Sequence, residues 1–164
     1  MKDRTIIWCL KQKRGIRIVQ PNENLTKAYL KKAASALNTM NAALEIRETD
    51  WITTTAYYAR YFALYALLMK MGIKSEIHDC SIAVAELLTE NRILREGLAS
   101  DILDSKQARI DVQYYVEREL DQASIRRDVE NARNFVLELE KVTENITTDR
   151  IEKIRAQMKA LKEH

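Results

Sequence analysis

The stretch that decides the fold is residues 51–71, WITTTAYYARYFALYALLMKM, opened by Asp50 and closed by Gly72. Its apolar residues lie nearly all round a helix, and Gly72 reads as the left-handed residue that ends one. A helix of this kind either spans a membrane or sits at the centre of a bundle. A span needs roughly 18 or more nearly uninterrupted apolar residues. Here Arg60 and Lys70 interrupt the run, three threonines lie near its start, and the longest uncharged run after Arg60 is Tyr61–Met69. The stretch is therefore expected to be a central bundle helix packed on several sides, with no membrane partner.

Working outward, PNENLTKAYLKKAASALNTMNAALEIR (residues 21–47) places Leu25, Tyr29, Ala33, Leu37, Met40 and Leu44 on one helical face, with Asn24 or Thr26 as cap. A third helix follows SEIHDCSIAVAELL, with Ser75 or Asp79 near its start. A fourth begins around Leu98 and carries Ile102, Arg109 and Val112 on adjoining turns. In the fifth, Ile125, Val129, Ala132, Val136, Leu139, Val142 and Ile146 recur at steps of three and four. The last segment, from Thr147, offers Thr148 or Asp149 as cap and Ile151, Ile154, Met158 and Leu161 as a stripe. Before Pro21, TIIWCLKQKRGIRIVQP reads as a hairpin or as a short helix with an extended lead-in; the short helix is preferred. Only 3 glycines and 1 proline occur in 164 residues, which suits long helices with few breaks. The expected fold is all-α, an antiparallel up-and-down bundle of about five helices. It divides into a basic N-terminal segment (1–23), the bundle (24–146) and a C-terminal amphipathic helix (147–164).

Two cysteines, Cys9 and Cys80, are too few for a disulfide framework or a four-ligand zinc site, and each is expected to be a reduced thiol in or near the core. No N-terminal apolar segment with a small-residue cleavage site is visible, so the reading is cytoplasmic. The net charge of +3 does not by itself imply nucleic acid. Residues 1–20 nevertheless carry Lys2, Arg4, Lys11, Lys13, Arg14 and Arg17 against Asp3 alone, beside Trp8. That segment suits either contact with phosphates and a base or a solvated edge with an anchored indole.

Most catalytic constellations are absent. The glycines stand apart at 15, 72 and 97, so no loop cradles a phosphate. No histidines are spaced to hold a metal, and no cofactor motif is present. Since His164 is the last residue, His78 is the one imidazole placed for acid–base work. Arg60, in the middle of YYARYFALY, must pair or reach water, whether at a ligand site, at a subunit interface or against a carboxylate of its own chain. Tyr57, Tyr58, Tyr61 and Tyr65 form a dense aromatic set suited to core, to a dimer interface or to base stacking.

AYYARYFALYALLMKMGIKSEIHDCSI (56–82), followed some thirty residues later by ARIDVQYY (108–115), resembles the HEPN family. The nearest branch carries an AYYAxFYAAxALLxxxGI…TH run and a later RxxADY. This resemblance implies a helical bundle that pairs as a homodimer and takes part in RNA-linked biology. Many members are metal-independent ribonucleases or toxins, some paired with a small nucleotidyltransferase antitoxin. Their active site is R-x(4–6)-H. Carried over, Arg109 matches the motif arginine, Tyr114 stands where the histidine would be, and apolar Ile110 follows the arginine. The tyrosine that partner transferases modify would fall at Val116, one residue past Tyr115. His78 matches the TH histidine, with Ile77 in place of the threonine. These departures favour a homodimer that binds a nucleotide, RNA or a partner protein through Arg109, Tyr114, Tyr115 and His78, bordered by Arg60. The alternatives are a ribonuclease or toxin component using Arg109 and His78, and a structural scaffold.

Overall fold

The computed structural model describes residues 2–116 and 119–163. Among these the chain forms helices α1 (Lys2–Lys11), α2 (Glu23–Glu45), α3 (Thr49–Met71), α4 (His78–Glu90), α5 (Leu98–Tyr114), α6 (Gln122–Asn145) and α7 (Thr148–Lys162). Two short strands, β1 (Arg17–Ile18) and β2 (Ile73–Lys74), pair antiparallel. The all-α class is as expected. The helix number is higher than about five because both flanks join the same core. Ile6, Cys9 and Leu10 of α1 and Ile151, Ile154 and Met158 of α7 are buried in the cluster built around α3.

α3 is the central helix. Of its residues from Ile52 to Met69, all but Thr55, Tyr58 and Phe62 are buried. α2 lies antiparallel beside it, tied end to end by the Lys70–Glu23 ion pair at 3.0 Å. α5 also runs antiparallel to α3, with Arg60 facing Ser105 and Tyr58 facing Arg109. A second small cluster closes the other end, where Met40, Ala43, Ile52 and Ala56 meet Ile125, Val129 and Ala132 of α6.

Helix ends follow local chemistry. Asn22, rather than Asn24 or Thr26, caps α2 by accepting from the Leu25 amide at 2.9 Å. Asp121 and Thr147 cap α6 and α7 in the same way. Gly72 ends α3 at φ 68, and Arg155 of α7 donates from Nη1 to the carbonyls of Val19, Met71 and Gly72 at 2.8, 3.0 and 2.9 Å. A side chain at position 72 would collide with that guanidinium and with the Val19 carbonyl. This one glycine therefore lets α7, the ribbon and the end of α3 converge.

The expectation of two reduced thiols is corrected. Cys9 and Cys80 are joined in a disulfide across 71 residues of sequence, with both residues fully buried. Packing of α1 on the first turn of α4 brings them together, a proximity that composition cannot reveal.

Candidate functional site

Three helices meet around Tyr57. α3 supplies Tyr57, Tyr58 and Tyr61, α5 brings Arg109 from the side, and α4 begins with His78. The Arg109 guanidinium carbon lies 4.9 Å from the Tyr57 ring centre and 5.6 Å from that of Tyr58. Its Nη1 donates to the Tyr58 hydroxyl at 3.2 Å. Its Nε is buried and has no acceptor among the described residues, and no carboxylate among them pairs with it. The side chain as a whole is only half-buried. Arg109 is thus a rigidly seated, accessible cation with donors to spare.

His78 lies on the other side of the same tyrosine. Its Nδ1 is 2.6 Å from the Tyr57 hydroxyl, and its ring stacks on Tyr61 with centres 4.0 Å apart and planes 18° from parallel. Burial holds the imidazole below its ordinary pKa, helped by the positive charges of Arg109 and Lys106 and opposed by Asp79. It is neutral at pH 7. Burial likewise raises the Tyr57 phenol well above its ordinary value, with the Arg109 charge pulling the other way, so this hydroxyl keeps its proton. A fully buried phenol must donate somewhere, and Nδ1 is the partner in reach. The donation fixes the remaining imidazole proton on Nε2. In that tautomer His78 presents an Nε2–H donor. Burial also pushes Tyr61 up to about 12, against the opposing Ser81 hydrogen bond.

Lys106, one turn before Arg109 on α5, is ion-paired with Asp79 beside His78. The surface is a shallow one. A hollow of about 660 Å³ lies at the α4–α5 connection and another of about 520 Å³ along Arg60 and Asp128, and Arg109 and His78 line neither.

The other sequence-predicted residues are distributed differently. Arg60 is buried and donates from Nη1 to Ser105 Oγ at 2.9 Å and from Nη2 to the Asp128 carboxylate and carbonyl at 2.8 and 3.1 Å. It takes the intramolecular carboxylate that was one of its three expected fates. Tyr57, Tyr61 and Tyr65 are 0%, 7% and 6% exposed within one chain and pack in its core. They have almost no surface left to give a partner, and Tyr65 spends its hydroxyl on the Ser75 carbonyl at 2.8 Å. Tyr58 alone of the four is half-exposed. Tyr114 and Tyr115, 74% and 62% exposed, lie at the end of α5, with no contact to Arg109 among the described residues. Five helical positions carry Tyr114 well around the axis from Arg109. Lys106 and Asp79 were missed. The sequence signal available was their spacing, Asp79 next to His78 and Lys106 three residues before Arg109.

A family model, HEPN domain, matches residues 26–159. The chain belongs to the HEPN family. The matched range runs past Thr147 into α7. No curated protein matches the sequence. Among the described residues no helix is long and apolar enough to cross a membrane, and no group of acidic, His or Cys side chains is arranged to hold a metal ion.

Proposed function

We propose that this HEPN chain binds the phosphate of a nucleotide or RNA at the Arg109–His78–Tyr58 cluster, and does so without general-base cleavage. One observation carries the reading. The half-exposed Arg109 guanidinium is clamped against two tyrosines and spends only Nη1, on the Tyr58 hydroxyl, and no carboxylate among the described residues neutralises it. An oxyanion satisfies such a group, and the Nε2–H tautomer of His78 adds a donor of the same polarity. A shallow basic surface also suits a polyanion better than a small apolar ligand. Equilibrium binding of a nucleotide and of a short RNA to the wild type and to Arg109→Met tests this. Affinity should fall at least ~10-fold, the order of a charge-assisted hydrogen bond. Equal affinity of the two proteins refutes it.

The second reading, a metal-independent ribonuclease, is favoured by the placement of His78 and Arg109 on either side of Tyr57. It requires chelator-insensitive RNA cleavage that disappears in His78→Ala. A homodimer, with or without a small nucleotidyltransferase partner, would have to use surface other than the buried tyrosines. Tyr114, Tyr115 and Val116, 74%, 62% and 98% exposed at the end of α5, form an apolar cluster fit for it. Sedimentation of Val116→Asp beside the wild type reports on that use.

A further inference from the structure

One face of α3 is left open. Between Trp51 and Lys70 the residues that escape burial are Thr55, Tyr58 and Phe62, and Trp51 itself is 62% exposed. Positions 51, 55, 58 and 62 fall on a single helical stripe. It spans ~16 Å at 1.5 Å per residue. Three of its four members are aromatic, and Tyr58 and Phe62 stack with centres 5.7 Å apart. Each wall of the stripe lays a cation over it. Arg109 of α5 covers Tyr58, and Lys32 of α2 holds its Nζ 5.2 Å from the Phe62 ring centre. Neither cation has a carboxylate partner among the described residues.

We propose that this stripe is the track for a single-stranded polynucleotide, an inference that rests on the anion site at Arg109 argued above. A base stacks on the open indole of Trp51. Another lies on the outer plane of the Arg109 guanidinium, whose inner plane rests on the tyrosines. Lys32 takes a phosphate farther along. Aromatic platforms interleaved with cations are what sequence-tolerant single-strand binding requires, since every base has a stacking face and every link a charge. A duplex hides those faces inside its own stack. The stripe also carries a charge argument against an apolar partner. Such a partner would strip water from Arg109 and Lys32 without supplying a counter-charge, whereas a phosphate backbone supplies one at every step.

The test uses the full chain in a Trp8→Phe background, so that Trp51 is the fluorophore. Single-stranded RNA and DNA oligonucleotides, the corresponding duplexes and a mononucleotide are titrated against it and against Trp51→Ala and Lys32→Ala, the latter two followed by the polarisation of labelled oligonucleotide. Both of these positions are exposed, so the fold survives. Single strands should quench Trp51, and each variant should weaken them roughly tenfold. Mononucleotide affinity should stay unchanged. Tighter binding of RNA than DNA adds a 2′-hydroxyl contact to the track, and equal binding assigns it to stacking and charge alone. Oligonucleotide affinity untouched in both variants overturns the track, and unchanged nucleotide loss in Arg109→Met would then leave the anion site standing. Duplexes that bind as tightly as single strands also overturn it. So does self-association of the wild type that Trp51→Ala abolishes while oligonucleotide binding persists, since a second copy would then own the face.

Discussion

Two arginines lie where α3 meets α5, Arg60 against Ser105 and Asp128 and Arg109 against Tyr57 and Tyr58, and replacing each with methionine should separate structure from function. Arg60 is 3% exposed; its removal strips a donor from buried Ser105 and two from Asp128. Breaking a buried pair costs about 3–5 kcal/mol. The Asp128 side chain is 30% exposed and recovers water, which places this case near the lower end. About 3 kcal/mol corresponds to a Tm lower by roughly 6–12 °C in a domain of this size. Arg109→Met loses two cation–π contacts of about 0.5–1 kcal/mol each at a half-exposed site, and it relieves a buried Nε that has no acceptor. Its net cost is about 1 kcal/mol, a Tm change of roughly 2–4 °C. The binding order is the reverse: Arg109→Met should lose nucleotide or RNA affinity ~10-fold or more. Arg60→Met should keep it below its lowered Tm. Thermal melts by circular dichroism and equilibrium titrations on the same preparations give both numbers. If Arg109→Met unfolds as readily as Arg60→Met and binding follows folding in both, the division between the two arginines is refuted.

Reducing Cys9–Cys80 reopens a loop of about seventy residues, which the chain-entropy model values at about 4 kcal/mol; the urea midpoint of Cys9→Ser/Cys80→Ser should drop accordingly, and an unchanged midpoint would mean that the native chain does not use the bond. His78 has a folded-state pKa below its ordinary 6.5, so its neutral form contributes stability that is complete above that value and erodes as pH falls through it toward the folded pKa. Urea melts between pH 7.5 and 5 should therefore show a smaller acid-side loss in His78→Gln than in the wild type. Gly72→Ala places a side chain at φ 68 against Arg155 and the Val19 carbonyl, and should cost more than the ~1–2 kcal/mol of the left-handed conformation alone; a loss below that in chemical denaturation would show that α7 yields without effort.

The sequence made the fold legible wherever burial followed a period. α2, α6 and α7 are legible because their apolar positions recur at helical spacing, and α3 because it is apolar nearly all round with Gly72 to stop it. The α7 cap falls at Thr147, just before the Thr148 or Asp149 that the sequence suggests. The disulfide stayed hidden because nothing in residues 1–20 says which helix α1 will lie on. The burial of each tyrosine stayed hidden for a related reason. Density of rings at positions 57, 58, 61 and 65 is the same whether α3 has one open side or three. How many neighbours surround α3 is a tertiary fact, and it sends Tyr57, Tyr61 and Tyr65 inward while leaving Tyr58 on the stripe with Trp51 and Phe62. Arg109 and His78 were legible as residues of interest, but their meeting around Tyr57 required the antiparallel pairing of α3 with α5 and the entry of α4 at its first residue.

The chemistry of that meeting depends on Tyr57 more than on either charged partner. The phenol is fully buried, its proton is held by burial, and its hydrogen bond reaches the imidazole nitrogen that points toward it. A buried hydroxyl that donates to Nδ1 leaves the imidazole proton on Nε2, and a donor beside a guanidinium suits an oxyanion. Reversing the roles needs Tyr57 to accept from Nδ1–H while its own hydrogen finds another buried acceptor, and no such acceptor appears among the described residues. The same α3 side that builds the core with Tyr57 and Tyr61 therefore bears on the protonation of His78, which is what the proposed anion site depends on. Tyr57→Phe releases Nδ1 from that donation. If the site is poised by this one hydrogen bond, the variant should bind more weakly in step with the loss of the fixed tautomer, and any gain of cleavage in it would identify Tyr57 as the restraint on a latent base.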